Sequence, residues 1–189
     1  MLDDYTFIII HGSYGSPKEN WFPRLAKKLK EAHAHVELPA FPTPEGQNLV
    51  NWLDIFNKAF PKLTDRTVLI GHSLGAPFIL RILEHSPSSV RAAFLVSGFT
   101  GLLNNPEFDN VNASFVEGGF DWAKIRANCK TFHVYNSDND PYVPLKFGHE
   151  IAEKSGGKLT VIHNGGHINA AAGFIEFEQL FKDIKADLA

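Results

Sequence analysis

Residues 67–75 read Thr-Val-Leu-Ile-Gly-His-Ser-Leu-Gly, so an apolar run passes directly into a Gly-x-Ser-x-Gly motif. A short apolar run of this kind is typical of a buried strand, and the residues after Gly75 have the apolar spacing of a helix. The sequence therefore predicts a strand, a sharp turn at Ser73 and a helix. Glycines two residues before and after the serine allow the strand and the helix to pack closely around that turn.

Strands and helices alternate on both sides of this segment. The predicted strands cover residues 6–10, 34–38, 67–70, 92–96, 131–135 and 159–162, and the predicted helices cover residues 21–29, 49–60, 76–84, 122–127, 147–153 and 173–184. Neighbouring parallel strands need a crossover of a dozen or more residues, which a helix supplies. With 189 residues, the chain is expected to form a single α/β domain over residues 1–189. We predict a three-layer α/β/α sandwich with a six-stranded parallel sheet and no large cap domain.

Composition excludes several classes of protein. Lysine and arginine total 18 against 21 aspartates and glutamates, a net charge of −3 without basic clustering. Nucleic acids and anionic membranes require a concentrated positive field, so neither is expected as a partner. The N-terminus has no basic stretch leading into a long apolar run, which predicts a cytoplasmic protein without signal peptide or membrane span.

Metal sites are not expected either. The single cysteine, Cys129, excludes an intrachain disulfide and a cysteine-based zinc site. His11 and His72 flank the predicted site turns and are expected to pack rather than to act as a second base. The other histidines outside the site show no pattern of metal ligands. We therefore predict neither a metal nor an organic cofactor.

A serine hydroxyl becomes a good nucleophile only when a base takes its proton and an acid orients that base. Where a serine follows a strand in this way, the acid and then the histidine come later in the chain, each after a strand. Asp138 and Asp140 follow the fifth predicted strand, and His163 and His167 follow the sixth. We favour Asp140, with Asp138 as its support, although either could simply cap its own turn. His167 is favoured over His163 because it follows Gly165-Gly166, a loop flexible enough to reach Ser73.

The negative oxygen formed during such an attack needs backbone N–H donors. The first donor is expected to be the backbone amide of Leu74, the residue after the nucleophile. The second is expected from the loop after the first strand. Gly12 in that loop lets the backbone approach a substrate, so Ser13 is the predicted second donor and Tyr14 the next candidate.

The least regular stretch is residues 98–119, which is either a functional or mobile connection or a plain surface loop. It is too short for a lid that encloses a long acyl chain, which predicts an open, shallow pocket. The predicted pocket walls are aromatic residues near the site turns: Tyr14, Trp21, Phe99, Phe115 and Tyr142.

Together these residues resemble the α/β-hydrolase superfamily, and more narrowly the YdeN / retinoblastoma-binding protein 9 family of small serine hydrolases. The resemblance covers nearly the whole chain. It rests on the segments Ile-Ile-His-Gly (9–12), Asn-Trp-Phe-Pro (20–23), Gly-His-Ser-Leu-Gly (71–75), Leu-Val-Ser-Gly-Phe (95–99), Asp-Pro-Tyr-Val-Pro (140–144) and Gly-Gly-His (165–167). It implies a compact six-stranded fold and a catalytic triad of Ser73, Asp140 and His167.

These observations predict a carboxylesterase-like serine hydrolase that cleaves an ester, thioester or amide of a small or exposed acyl group through an acyl-enzyme on Ser73. Its partner is then a small-molecule or acylated substrate. Two alternatives stay open. The acyl group could pass to an acceptor other than water, or form a peracid. The chain could also be a protein-interaction module on a hydrolase fold with little turnover, although such a binder should have lost at least one of the predicted site residues.

Overall fold

The computed structural model describes residues 2–189, and its centre is one sheet of six strands. The strands are β1 (Thr6–Ile10), β2 (His35–Glu37), β3 (Thr67–His72), β4 (Val90–Val96), β5 (Cys129–Ser137) and β6 (Lys158–Ile162). They lie in the order β2-β1-β3-β4-β5-β6, and every neighbouring pair is parallel. The predicted six-stranded parallel sheet is confirmed.

Helices cover both faces of this sheet. They are α1 (Phe22–Glu31), α2 (Leu49–Ala59), α3 (Gly75–His85), α4 (Pro106–Val116), α5 (Trp122–Ala127), α6 (Leu145–Ser155) and α7 (Glu178–Asp187). The apolar residues of α1 and α7 share one buried cluster, and those of α2 to α6 share the other. Among the helices of residues 2–189, none combines the length and the apolarity that a bilayer crossing requires.

Successive side chains along a strand contribute alternately to the two hydrophobic clusters, one on each face of the sheet. In β1, Phe7 and Ile9 face the cluster under α1 and α7, whereas Ile8 and Ile10 face the cluster under α2 to α6. Successive side chains of a strand point to opposite faces of a sheet, and a strand buried on both faces is therefore apolar throughout. This is the physical reason that the strands read as short continuous apolar runs in the sequence.

The junction of β3 and α3 depends on the close approach of two backbones. A Cβ atom added at Gly71 would lie 2.5 Å from the carbonyl carbon and oxygen of Gly75. Only glycine fits at such a distance. This contact folds α3 back against β3 directly after the strand, and it leaves Ser73 at the carboxyl end of a strand in the middle of the sheet.

The stretch 98–119 is more regular than predicted, because it contains the eleven-residue helix α4. Asn105 caps the start of this helix by accepting a hydrogen bond from the Glu107 amide at 3.1 Å, and Pro106 occupies the first turn. Asn-Pro is a common signal for the start of a helix. No helix was predicted here because the surrounding residues are mostly polar.

The predicted helix 173–184 is wrong in its first part, since α7 begins only at Glu178. A short 3-10 turn, Ala170–Ala172, ends on Gly173, whose φ of 90° is left-handed. A left-handed residue ends a helical turn. The apolar spacing that suggested a helix there comes from Phe177, which is buried in the core, and from partly buried Phe174 packed against it.

Candidate active site

Ser73 occupies a strained turn between β3 and α3. Its φ of 54° lies in the left-handed region, which residues other than glycine seldom adopt. Two backbone hydrogen bonds hold the turn: the Ser73 amide donates to the Val96 carbonyl at 2.9 Å, and the Ser73 carbonyl accepts from the Ala76 amide at 3.0 Å. The residue lines a partly open cavity of about 190 Å³ at the carboxyl edge of the sheet. Strain maintained in this way is typical of functional positions.

His167 lines the same cavity and is held by Asp140. Its Nδ1 donates to Asp140 Oδ2 over 2.8 Å, and the Asp140 side chain is completely buried. The other carboxylate oxygen accepts from the amides of Tyr142 and Val143 at 2.9 and 3.0 Å. Since the Nδ1 proton is engaged by the carboxylate, Nε2 of the neutral ring is left as a proton acceptor.

Asp138 contacts the histidine loop rather than Asp140. Its carboxylate accepts hydrogen bonds from His163 Nδ1 at 2.6 Å and from the Asn164 amide at 2.8 Å. The bond from the Asn164 amide, and then the one from His163, lower the pKa of this carboxyl group. The expected support of Asp140 is therefore corrected: Asp138 joins the loop after β5 to the loop after β6. The His163 side chain is exposed to solvent.

The two amides predicted to stabilise a negative oxygen are those of Leu74 and Ser13. Within residues 2–189, neither amide donates to a protein acceptor. The amide of Tyr14, the next candidate, is already occupied, because it donates to Thr43 Oγ1 at 2.6 Å. This contact favours Ser13 over Tyr14 as the second donor.

A buried network of amide side chains lies behind Ser13. Ser13 Oγ donates to Asn112 Oδ1 at 2.6 Å, and Gln47 Nε2 donates to both of these oxygens, at 2.9 Å for Asn112 and 3.0 Å for Ser13. Gln47 Oε1 in turn accepts from Thr43 Oγ1 at 2.5 Å. Sequence reasoning missed Gln47 and Asn112, because amides 65 positions apart form no motif.

The two histidines beside the site turns are buried and neutral. Burial, followed by the neighbouring charge of His167, lowers the pKa of His72 to about 3. Burial also lowers the pKa of His11, whose Nε2 accepts from the Phe41 amide at 3.0 Å while Nδ1 donates to the Gly12 carbonyl at 2.8 Å. Both side chains therefore hold backbone in place and are poor proton acceptors.

Only two of the five predicted wall residues line the cavity. Tyr14 and Tyr142 do so and are exposed. Trp21, Phe99 and Phe115 do not, and this part of the prediction is wrong, since all three side chains are completely buried in the hydrophobic clusters. Rings of this size contribute most to stability when they leave water entirely. The other wall residues that sequence reasoning missed are Gly15, Glu19, Asn20, Phe22, Leu103, Phe108, Asn112 and Asn169.

The site is built without a metal-ligand constellation. Across residues 2–189, no group of three or more histidine, cysteine, aspartate or glutamate side chains is arranged to hold a metal ion. Cys129 lies in β5, and burial raises the pKa of its thiol to about 12, so the thiol is neutral.

Comparison with known proteins assigns the family. The family model for serine hydrolases matches residues 7–186, which is most of the chain. The chain belongs to the serine hydrolase family. The strand-turn-helix segment and the parallel sheet are therefore those of a hydrolase fold, and the predicted resemblance is confirmed.

Two relatives support this assignment of the serine hydrolase. The chain is 34% identical over 168 residues to the hydrolase YdeN of Bacillus subtilis (strain 168), covering 88% of this chain and 87% of the relative. It is 33% identical over 125 residues to the serine hydrolase RBBP9 of Rattus norvegicus, covering 66% of this chain and 62% of the relative.

Solved structures show the same fold. The crystal structure of the ydeN gene product from Bacillus subtilis matches with a TM-score of 0.91 at 31% identity, covering 97% of this chain and 98% of that one. Est1E from Butyrivibrio proteoclasticus matches with a TM-score of 0.71 at 16% identity, covering 97% of this chain and 88% of that one. At that identity the second match concerns the fold alone.

Proposed function

We propose that this serine hydrolase cleaves a carboxylic ester, thioester or amide through an acyl-enzyme on Ser73, with Asp140 and His167 as the other members of a catalytic triad. One observation carries the proposal. The 2.8 Å hydrogen bond from His167 Nδ1 to the buried Asp140 carboxylate leaves His167 Nε2 as the free basic nitrogen, on a ring that lines the same cavity as Ser73. A serine hydroxyl becomes activated for attack on a carbonyl when it donates its proton to such a nitrogen.

The reaction then proceeds in two halves. His167 Nε2 takes the Ser73 Oγ proton while Oγ forms a bond to the substrate carbonyl carbon, and the carbonyl oxygen becomes negative. When this intermediate collapses, the bond to the leaving group breaks and His167 returns the proton to that group. Water enters next, loses a proton to His167 and attacks the acyl-enzyme, which releases the free acid and restores Ser73.

Asp140 stabilises the charged form of His167 without taking its proton. The carboxylate accepts three hydrogen bonds, from His167 and from two backbone amides, which fix the orientation of the imidazole. A buried, fully bonded carboxylate of this kind favours the Nδ1-protonated ring and stabilises the positive charge that appears during attack.

The negative oxygen is proposed to accept hydrogen bonds from the amides of Leu74 and Ser13. These two amides have no protein acceptor among the described residues. Donors that are already in place when charge develops lower the barrier, because they need no reorganisation at that moment.

The substrate is proposed to be a small or exposed acyl compound. The cavity has a volume of about 190 Å³, and α4 supplies Asn112 and Phe108 to its wall. A cavity of this size is smaller than those that enclose drug-sized ligands, which run from about 300 to 1,000 Å³.

Intact-protein mass spectrometry after incubation with a fluorophosphonate probe tests this mechanism. The wild-type protein should gain one adduct and should hydrolyse 4-nitrophenyl acetate to acetate, and Ser73→Ala and His167→Ala should show neither result. Ser89→Ala is the control, because Ser89 directly precedes β4 at the opposite edge of the sheet. An adduct or undiminished hydrolysis in Ser73→Ala would disprove the assignment of the nucleophile. Transfer of the acetyl group to an added alcohol in place of water would disprove hydrolysis as the reaction.

A further inference from the structure

The cavity presents three asparagine amides whose oxygens are already used. Asn20 Oδ1 accepts from the Ala170 amide at 3.0 Å, and Asn169 Oδ1 accepts from the Ala172 amide at 3.0 Å. Asn112 Oδ1 accepts from the Ser13 and Gln47 side chains. Within residues 2–189, the Nδ2 group of none of these three wall residues donates to a protein acceptor.

The orientation of the Asn112 amide follows from the groups around it. Gln47 Nε2 lies 3.1 Å from the Val111 carbonyl oxygen, which only accepts, so this atom of Gln47 must be the donor. The Asn112 atom facing Gln47 Nε2 must then be the oxygen. Its Nδ2 is consequently the part of the amide that is left for another partner.

Asn112 is also deeply placed, since only 2% of its surface is exposed while it lines the cavity. The Nδ2 atom itself is not among the fully buried side-chain atoms of residues 2–189 that lack a partner, so it is accessible from the cavity. Polar groups in such positions usually find a hydrogen-bond partner, and an acceptor on a bound ligand would supply one.

The location of Asn112 indicates which part of the substrate it meets. It bonds to Ser13, whose amide is proposed to face the carbonyl oxygen, and so belongs to the acyl side of the site. Asn20 and Asn169 accept instead from the amides of Ala170 and Ala172, which lie three and five residues after His167, the group that serves the leaving group.

The charges around the cavity favour an uncharged acceptor. Among the described residues, no lysine or arginine lines the cavity, and the wall includes the carboxylate of exposed Glu19. An anionic acyl group would lack the cationic partner that carboxylates usually find in proteins. A neutral carbonyl, ether or hydroxyl oxygen needs only the N–H donor.

We infer that Asn112 is a specificity-determining residue whose Nδ2 binds an uncharged oxygen of the acyl group, beyond the scissile carbonyl. The hydrolase therefore prefers oxygen-bearing acyl groups over plain alkyl ones. This inference rests on the proposed function, because it needs an acyl group bound beside Ser73. A site built to hydrogen-bond a substrate rejects analogues that leave its donor unpaired.

Two esters of matched shape test the inference. In 4-nitrophenyl 4-oxopentanoate, a ketone oxygen at C4 replaces the methyl group and the hydrogen that 4-nitrophenyl 4-methylpentanoate carries at that carbon. We expect kcat/KM of the wild-type enzyme to favour the oxo ester by about tenfold, the effect of one hydrogen bond. In Asn112→Asp, which keeps an oxygen for Ser13 and Gln47 but replaces the donor, and in Asn112→Ala, the ratio should fall to about one.

Asn110→Asp is the control, because it makes the same change of charge at an exposed position of α4. Its ratio should equal that of the wild-type enzyme. Fluorophosphonate labelling of each variant shows separately whether Ser73 is reactive. If the wild-type protein is labelled and hydrolyses both esters with equal kcat/KM, or if the Asn112 variants keep the preference, the inference is overturned while the proposed function stands. If the wild-type protein is not labelled and cleaves neither ester, both are overturned.

Discussion

The imidazole of His72 donates a hydrogen bond from Nε2 to the main-chain carbonyl of His167 over 2.8 Å. The two rings also meet edge to face, with centroids 4.9 Å apart. His72 directly precedes Ser73, so the strand that carries the proposed nucleophile also holds the backbone of the proposed base. Ser97 Oγ donates to the same carbonyl at 3.2 Å. We therefore predict that His72 positions the backbone of the proposed base and does not act as a second base.

Replacing His72 by phenylalanine should lower kcat by about tenfold with little change in KM, because the His167 backbone loses one of its two donors. His72→Gln, which offers an amide donor, should recover part of the loss. The measurement is steady-state hydrolysis of 4-nitrophenyl acetate with all three proteins. Equal kcat values in His72→Phe and the wild-type enzyme would show that Ser97 alone holds this carbonyl.

The stability of the protein should fall as the pH drops below about 6.5 because of His72. The pKa of His72 is about 3 in the folded protein, lowered by burial and next by His167, against 6.5 for an ordinary histidine. Between these two pH values His72 is protonated in the unfolded chain but not in the folded protein. The free energy of unfolding therefore falls by about 1.4 kcal/mol for each pH unit of acidification. Above pH 6.5 neither state binds the proton and this dependence disappears.

Urea unfolding at pH 7, 6 and 5 measures that slope. In His72→Phe the free energy of unfolding should fall less steeply on acidification than in the wild-type protein. The difference between the two slopes should be about 1.4 kcal/mol for each pH unit, which is the contribution of one proton. Some slope should persist, because the pKa of His11 is also lowered by burial and acts with the same sign. Parallel curves for the two proteins would contradict the prediction.

Gly12→Ala should impair the reaction with little effect on the fold. A Cβ atom at this position would lie 2.8 Å from Ser73 Cβ and 3.3 Å from Ser73 Oγ, so the serine must move. Displacement of a nucleophile can lower kcat by about a hundredfold. Gly101→Ala is the matched control, since its Cβ would meet only Phe147, at 3.5 Å. Rates of hydrolysis and of fluorophosphonate labelling measure the effect, and a fully active Gly12→Ala would refute it.

Asp140→Asn and Asp138→Asn should differ strongly. Asparagine at position 140 favours the wrong tautomer of His167, because its amide group can donate to Nδ1, and kcat should fall by about 10⁴-fold. Asp138 bonds only to His163 and Asn164 at the surface, so Asp138→Asn should retain most of the activity. Circular dichroism shows whether both variants are folded. Similar activities of the two variants would exclude Asp140 as the orienting acid.

Arg81→Met should destabilise the protein by about 3–5 kcal/mol. The Arg81 side chain is buried, donates to Glu84 at 2.7 Å, and donates to the carbonyls of Phe115 and Glu117 at the end of α4 at 2.9 and 2.7 Å. Its loss leaves the largely buried Glu84 carboxylate without its arginine partner. Arg81→Met/Glu84→Met should recover part of the free energy of unfolding, measured by urea denaturation. Exposed Arg126→Met is the control, and an equal loss there would contradict the argument.

Much of the fold could be predicted because its signals are local. Six apolar runs, each followed by a turn or a helix, define a parallel sheet, and the carboxyl ends of parallel strands meet at one edge. Ser73, Asp140 and His167 all follow strands, which is why sequence order alone placed them at that edge. Their roles remain a proposal, whereas their arrangement is a property of the fold.

Sequence by itself thus determined which strand each candidate site residue follows: a serine follows β3, an acid follows β5 and a histidine follows β6. Only the tertiary structure decided which side chains meet the substrate. Trp21 and Tyr14 are both aromatic and near the edge, yet one is buried and the other lines the cavity. The direction of a side chain depends on how its element is rotated against distant neighbours. The contact between Asn112 and Ser13, 99 positions apart, likewise exists only once α4 has packed over the sheet.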